Sequence, residues 1–155
     1  MRGNDIAIKE DETMATITRS IDINAPVEKV FAYLNDPTSG PEWMVSMMEV
    51  SNVTGSGVGQ RYNWKYKMIG IPFQGESTVT EQVLNERGVV ENKGGIPSTF
   101  RWTFTPLKGG TKLNLEVDYT IPVPVLGKMA EKLVLKRNER EADLWMQNLK
   151  EKLEA

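Results

Sequence analysis

Between residues 14 and 23 the side chains alternate, with Ile17, Ile21 and Ile23 on one parity and Thr16, Thr18, Ser20 and Asp22 on the other. A period of two marks a half-buried strand. Asn24-Ala25-Pro26 then opens a helix, since proline is tolerated in a first turn and Glu28 suits the positive end of the dipole. Val27, Val30, Phe31 and Leu34 recur at helical spacing and give it one apolar stripe. Asn35-Asp36-Pro37 ends it. The segment 38–45, broken by Gly40 and Pro41, predicts at most one irregular helical turn.

From 46 to 121 the pattern is one of consecutive strands. The breaks fall at Gly55-Ser56-Gly57, Gly70-Ile71-Pro72, Asn85-Glu86-Arg87-Gly88, Gly94-Gly95 and Lys108-Gly109-Gly110. Connections this short permit hairpins and forbid parallel crossovers, so an antiparallel meander is expected. Three strands alternate cleanly. Tyr62, Trp64, Tyr66 and Met68 interleave with Arg61, Asn63, Lys65 and Lys67. Phe100, Trp102 and Phe104 interleave with Arg101, Thr103 and Thr105, and Leu113, Leu115, Val117, Tyr119 and Ile121 with Asn114, Glu116, Asp118 and Thr120. Each predicts one wet and one apolar face.

After Pro122 and Pro124 a helical stretch runs from about 125 to 153, with Leu126, Met129, Ala130, Leu133 and Val134 opening its stripe and Ala142, Trp145, Leu149 and Leu153 completing it. Each element must bury its apolar side against the other, so this helix is expected to lie across the concave face of the sheet. The predicted class is α+β. A curved antiparallel sheet of six to seven strands grips one long C-terminal helix, with one or two short helices after the first strand. Residues 14–155 read as a single domain, and 1–13, polar and acidic, as a flexible tail rather than a signal peptide.

Composition narrows the chemistry. Without cysteine there is no disulfide, thiol nucleophile or thiolate metal site, and without histidine the commonest general base and metal ligand is missing. Zinc hydrolases and histidine-dependent triads are excluded. No clustered Asp/Glu loop of the kind a hard cation needs is present, so neither metal nor cofactor is expected. A net charge of −2 and a pI near 5.3 argue against a nucleic-acid partner. No apolar run approaches the roughly 20 residues that span a bilayer, so membrane insertion is not expected and a cytoplasmic location is.

The order of elements resembles the START-like (SRPBCC) superfamily, whose helix-grip fold is shared by polyketide cyclases, lipid-transfer domains and the major birch-pollen allergen. The residues that carry the resemblance are Ile21-Asp22-Ile23-Asn24-Ala25-Pro26-Val27-Glu28-Lys29-Val30-Phe31, then Asn35-Asp36-Pro37, Glu42-Trp43 and the ending Leu149-Lys150-Glu151-Lys152-Leu153-Glu154. It spans about residues 15–154 and contains no catalytic group. It implies a hydrophobic cavity between sheet and long helix that holds lipids, sterols, polyketides or similar molecules.

Several features fit such a cavity, each with a plainer reading beside it. Tyr62, Trp64, Tyr66, Phe73, Phe100, Trp102, Phe104 and Tyr119 either line a pocket with rigid rings and orienting donors, or simply fill the space under the helix. Leu115 and Val117 from the last long strand, with Met129 and Leu133 from the helix, complete the candidate lining. Met44, Met47, Met48 and Met129 either frame an adaptable mouth or fill gaps. The helix stripe carried forward from Val134 lands on Asn138 and Glu141, so Asn138, or Arg137 with Glu141, either anchors a ligand's polar head or belongs to a solvated rim. Arg19 and Glu81 share strand parity with apolar neighbours. They mark a site, or else a bulge or outward face brings them to water. Gly55, Gly57 and Gly59 precede a strand and form a turn, not a phosphate loop.

The favoured expectation is binding, for storage, transport or sensing, of a small hydrophobic or lipid-like molecule in a closed pocket on the order of several hundred Å³. The alternative is a cyclase- or dehydratase-like enzyme using Tyr62, Tyr66, Tyr119, Arg137 and Glu141. An interaction module needs an exposed apolar patch, which the Lys-, Arg-, Thr- and Glu-rich outer faces do not suggest. Protein partners stay open.

Overall fold

In the computed structural model, which describes residues 13–122 and 131–155, the alternation at the start of the chain forms the edge strand β1 (Thr13–Ile23). Pro26 supplies an extended residue with φ −66° ahead of α1 (Val27–Leu34), and Glu28 lies in the first turn. Asn35 closes this helix with its side-chain amide donating to the Phe31 carbonyl at 2.8 Å. Asp36 then accepts from the backbone N–H and the hydroxyl of Thr38, starting a single 3-10 turn at Pro37–Ser39 that runs into the four-residue helix α2 (Gly40–Trp43).

The meander follows as β2 (Met47–Thr54), β3 (Arg61–Met68), β4 (Ile71–Val83), β5 (Arg87–Gly94), β6 (Ser98–Leu107) and β7 (Gly110–Ile121). All neighbours are antiparallel, in the order β1-β7-β6-β5-β4-β3-β2, so the first strand closes on the last. The β3–β4 hairpin turns on Ile69 and Gly70, both with positive φ (50° and 73°), the conformation whose twist matches its flanking strands. The expected breaks therefore hold, with the turn one residue earlier than Gly70-Ile71-Pro72 suggests.

The long helix α3 (Glu131–Glu154) has 24 described residues, about 36 Å at 1.5 Å per residue. The Leu126, Met129 and Ala130 positions of the predicted helix lie outside the described residues, as does the predicted tail up to residue 12. Val134, Ala142, Trp145, Met146, Leu149 and Leu153 are buried against a core that includes Ile17, Ile23, Val30, Phe31, Leu113, Leu115 and Ile121. Polar ties fix the helix at both sides. Asn148 donates to the Trp43 carbonyl at 3.1 Å, and Lys29 donates to the Leu153 carbonyl at 2.8 Å, a cation at the negative end of the dipole.

Arg19 takes neither route to water that its parity suggested. It stays on the apolar side of β1 and spans the seam to α3, with Nε 2.6 Å from Asp143 and Nη2 2.9 Å from Glu139. Burial alone would lower its pKa, and these two carboxylates more than offset that and raise it. Glu81 does follow the bulge reading. The β4–β5 register shifts between Val79 and Glu81, and Glu81 reaches the surface to pair with Arg87 at 2.8 Å.

Candidate functional site

Between the concave face and α3 lies a cavity of about 130 Å³. This is far smaller than the several hundred Å³ expected, because all four tryptophans of the chain, Trp43, Trp64, Trp102 and Trp145, project into the space between sheet and helix. Trp43 stands edge-on to both Trp102 and Trp145, at centroid distances of 5.7 and 6.1 Å, and Phe100 stacks on Trp145 at 6.1 Å. What remains is room on the order of a single ring; an apolar cavity of about 150 Å³ is known to hold benzene.

Of the residues singled out from sequence, Tyr62, Trp64, Tyr66, Phe100, Trp102, Val117, Tyr119 and Asn138 line this cavity. Phe73 packs half-buried at the edge of the core against Gly95. Phe104 is buried behind the cavity, 5.2 Å edge-on to Phe31, and Leu115 is buried in the core beside it. Leu133 is 61% exposed and Arg137 is exposed, a correction with a simple cause. Each sits one residue, about 100° of helical turn, from the buried positions Val134 and Asn138. Met44 and Met47 line the cavity while Met48 is 50% exposed, and Met129 lies outside the described residues.

Glu141 is buried, accepts a short hydrogen bond from the Ser46 hydroxyl, and lies near Tyr66 without lining the cavity. Asn138 donates to the Tyr119 hydroxyl at 3.0 Å. The polar lining that sequence reading missed comprises Ser77, Asn92 and Ser98. Their signal was the one that drew attention to Arg19 and Glu81, a polar residue on an apolar parity: Ser77 with Val79, Asn92 with Val90, Ser98 with Phe100. Trp43 and Trp145, visible only as signature and stripe residues, are walls as well.

Every described residue of the lining is uncharged. Its ionisable groups are three tyrosines, and burial raises the pKa of Tyr62, Tyr66 and Tyr119 alike; for Tyr66 the nearby Glu141 adds to the effect. A hydroxyl held above its ordinary value of 10.0 keeps its proton in the folded state after the unfolded chain has lost it. The corresponding stability is complete below about pH 10 and is lost as pH rises further, with a limiting slope of about 1.4 kcal/mol per pH unit per tyrosine. Tyr66→Phe should flatten this alkaline limb in urea unfolding at pH 8, 10 and 11. An unchanged limb would show that Tyr66 ionises normally in the fold.

Three buried indole N–H groups, of Trp43, Trp64 and Trp145, have no acceptor among the described residues. Among the described residues no three acidic side chains converge as metal ligands, and no helix is long and apolar enough to cross a membrane. A wider hollow of about 460 Å³ is lined by Thr18, Arg19, Ser20, Arg101, Thr103, Asn114, Leu115 and Glu116, without an aromatic ring.

The family profile described as polyketide cyclase/dehydrase and lipid transport matches residues 14–154. No curated protein matches the chain. Among solved structures, a Thermus thermophilus protein superposes with a TM-score of 0.78 at 20% identity, over 90% of this chain and 97% of the other. The Zhui aromatase/cyclase of a Streptomyces species gives 0.72 at 15% identity, over 92% and 94%. A START superfamily protein of Mycobacterium smegmatis gives 0.68 at 16%, over 88% and 97%. At these identities the likeness is one of fold.

Proposed function

The chain belongs to the polyketide cyclase/dehydrase and lipid transport family, within the START-like superfamily, and from that premise we propose that it binds a small, mostly apolar molecule between sheet and helix, for storage, transport or sensing. The observation that carries this reading is the cavity itself: an aromatic-lined hollow with, among the described residues, no charged group in its wall and a few hydrogen-bonding groups along one side. Ligand sites have this composition, apolar walls with a small number of placed polar atoms.

The test is solvent extraction and native mass spectrometry of protein purified from its own cells, with a thermal-shift screen of small neutral aromatic and lipid-like compounds. A bound compound near one per chain is expected, or a shift of about 5–10 °C at a ligand concentration near 100 Kd. Empty extracts together with no shift from any compound would overturn the reading.

A second reading, an enzyme of the cyclase or dehydratase kind, draws on one observation: Tyr66 faces the cavity with Ser46 and buried Glu141 behind it. Such an enzyme would convert a bound compound during incubation. Recovery of the compound unchanged from wild-type protein would leave binding alone.

A further inference from the structure

The polar residues of the cavity are not scattered. Tyr62 on β3 pairs with Ser77 on β4, Ser77 with Asn92 on β5, Asn92 with Ser98 on β6, and Ser98 with Tyr119 on β7. They form one row of directly opposed residues, perpendicular to the strands and crossing five of the seven. Directly opposed side chains have Cβ atoms about 5 Å apart, close enough for short polar side chains to touch.

The next row on the same face, two residues along the strands, is wholly apolar: Val79, Val90, Phe100, Val117 and Ile17. On the other side Trp64 lies against the opposed glycines Gly75 and Gly94. A polar belt is thus held between two greasy ones.

The hydrogen bonds along the belt have a direction. Tyr62 meets Ser77, and the Ser77 hydroxyl donates to the Asn92 side-chain carbonyl. The Asn92 amide donates to the Ser98 hydroxyl at 2.8 Å, and Asn138 from α3 donates to the Tyr119 hydroxyl at 3.0 Å. Ser98 and Tyr119 therefore both accept, and among the described residues neither hydroxyl has an acceptor for its own hydrogen. A hydroxyl carries one hydrogen to donate. The chain of bonds leaves two spare O–H donors in the wall of the cavity, Ser98 low on the sheet and Tyr119 reaching toward Asn138 on α3.

We propose that the spare hydroxyls of Ser98 and Tyr119 offer hydrogen bonds to an acceptor oxygen, such as a carbonyl, of an uncharged, single-ring ligand whose ring lies against the apolar row and the tryptophans. This rests on the ligand-binding reading of the cavity and adds to it the ligand's charge and the atom recognised. Each spare O–H can donate to a lone pair of a carbonyl oxygen. A carboxylate would present the same oxygen, but among the described residues the wall has no cation to compensate its charge, and burying an unpaired charge is far costlier than burying a ketone. A hydrocarbon of the same shape would fit and leave both donors unused.

The experiment compares three isosteres, acetophenone, isopropylbenzene and benzoate, by isothermal titration at pH 7 on the wild-type protein and on the Ser98→Ala and Tyr119→Phe variants. At least one of the two variants is expected to weaken acetophenone by about threefold to tenfold, the loss of one net hydrogen bond, and both to leave isopropylbenzene within twofold. Isopropylbenzene binding doubles as the check that a variant keeps its cavity. Benzoate is expected to bind wild-type protein at least about tenfold more weakly than acetophenone. If both variants bind acetophenone as tightly as wild type while isopropylbenzene still binds, the carbonyl reading is overturned and the ligand cavity stands. Benzoate binding as tightly as acetophenone overturns the selection by charge. Binding of none of the three to wild-type protein overturns this inference, while the ligand reading beneath it is decided by the extraction and thermal-shift screen.

Discussion

Trp145→Ala should lower the stability of the protein by about 3–5 kcal/mol, the range for deleting a large buried aromatic side chain. Trp145 is 5% exposed, stacks on Phe100 and meets Trp43 edge-on, so its removal strips contacts from α2, β6 and α3 together. The space it vacates would join the cavity already beside it, and rigid neighbours such as Trp43 and Phe100 cannot collapse far enough to fill it. One term works the other way. The indole N–H of Trp145 has no acceptor among the described residues, so the substitution also removes a buried unsatisfied donor. Trp145→Phe separates the two contributions: it keeps most of the ring, discards the donor, and is expected to cost less than half as much. Urea unfolding of both variants checks this. An alanine variant within about 1 kcal/mol of wild type would mean that Trp145 does not hold α3 to the sheet.

Gly75→Ala is the second large effect, for a different reason. A Cβ at this position would stand 2.3 Å from the Lys93 carbonyl oxygen and 2.3 Å from Cζ2 of Trp64. The carbonyl belongs to the neighbouring strand and the indole is buried, so neither yields readily. The expected loss is about 3 kcal/mol or more, at the upper end of overpacking effects. Gly70→Ala serves as the contrast. Its φ of 73° strains any L residue by about 1–2 kcal/mol, but nothing lies within 4 Å of the new Cβ. In a Trp64→Ala background, itself destabilised by the lost indole, Gly75→Ala should still cost part of this, because the Lys93 oxygen remains in the way. No further cost in that background would assign the whole effect to the indole.

The parts of this molecule legible in its sequence are those governed by a local period. Alternation located the strands carrying Tyr62–Met68, Phe100–Phe104 and Leu113–Ile121, and the turn residues separated them at nearly the right places. Helical stepping from Val134 reached Asn138 and Glu141, which are buried although both are polar. The same stepping was too coarse for Leu133 and Arg137, where one residue decides between core and solvent. Cavity size was out of reach, because it depends on how indoles from α2, β3, β6 and α3 share one space. The polar belt was out of reach for another reason. Its members are about 6 to 21 positions apart along the chain and become neighbours only through strand register, which no window along the sequence contains.

That belt bears on which sequence changes the protein can tolerate. Each of β3 to β7 contributes one residue to it, so the hairpin loops are free to grow or shrink while the strands are not. A single-residue insertion inside β5 would turn Asn92 to the outer face and cut the row at its centre, even if every strand still paired. On the ligand-binding reading proposed above, the same arrangement would make ligand preference modular. Exchanging one small side chain per strand, Ser77, Asn92 or Ser98, would rewrite the pattern of donors and acceptors one position at a time without touching the aromatic enclosure, so relatives of this chain can diverge in what they hold while keeping one scaffold.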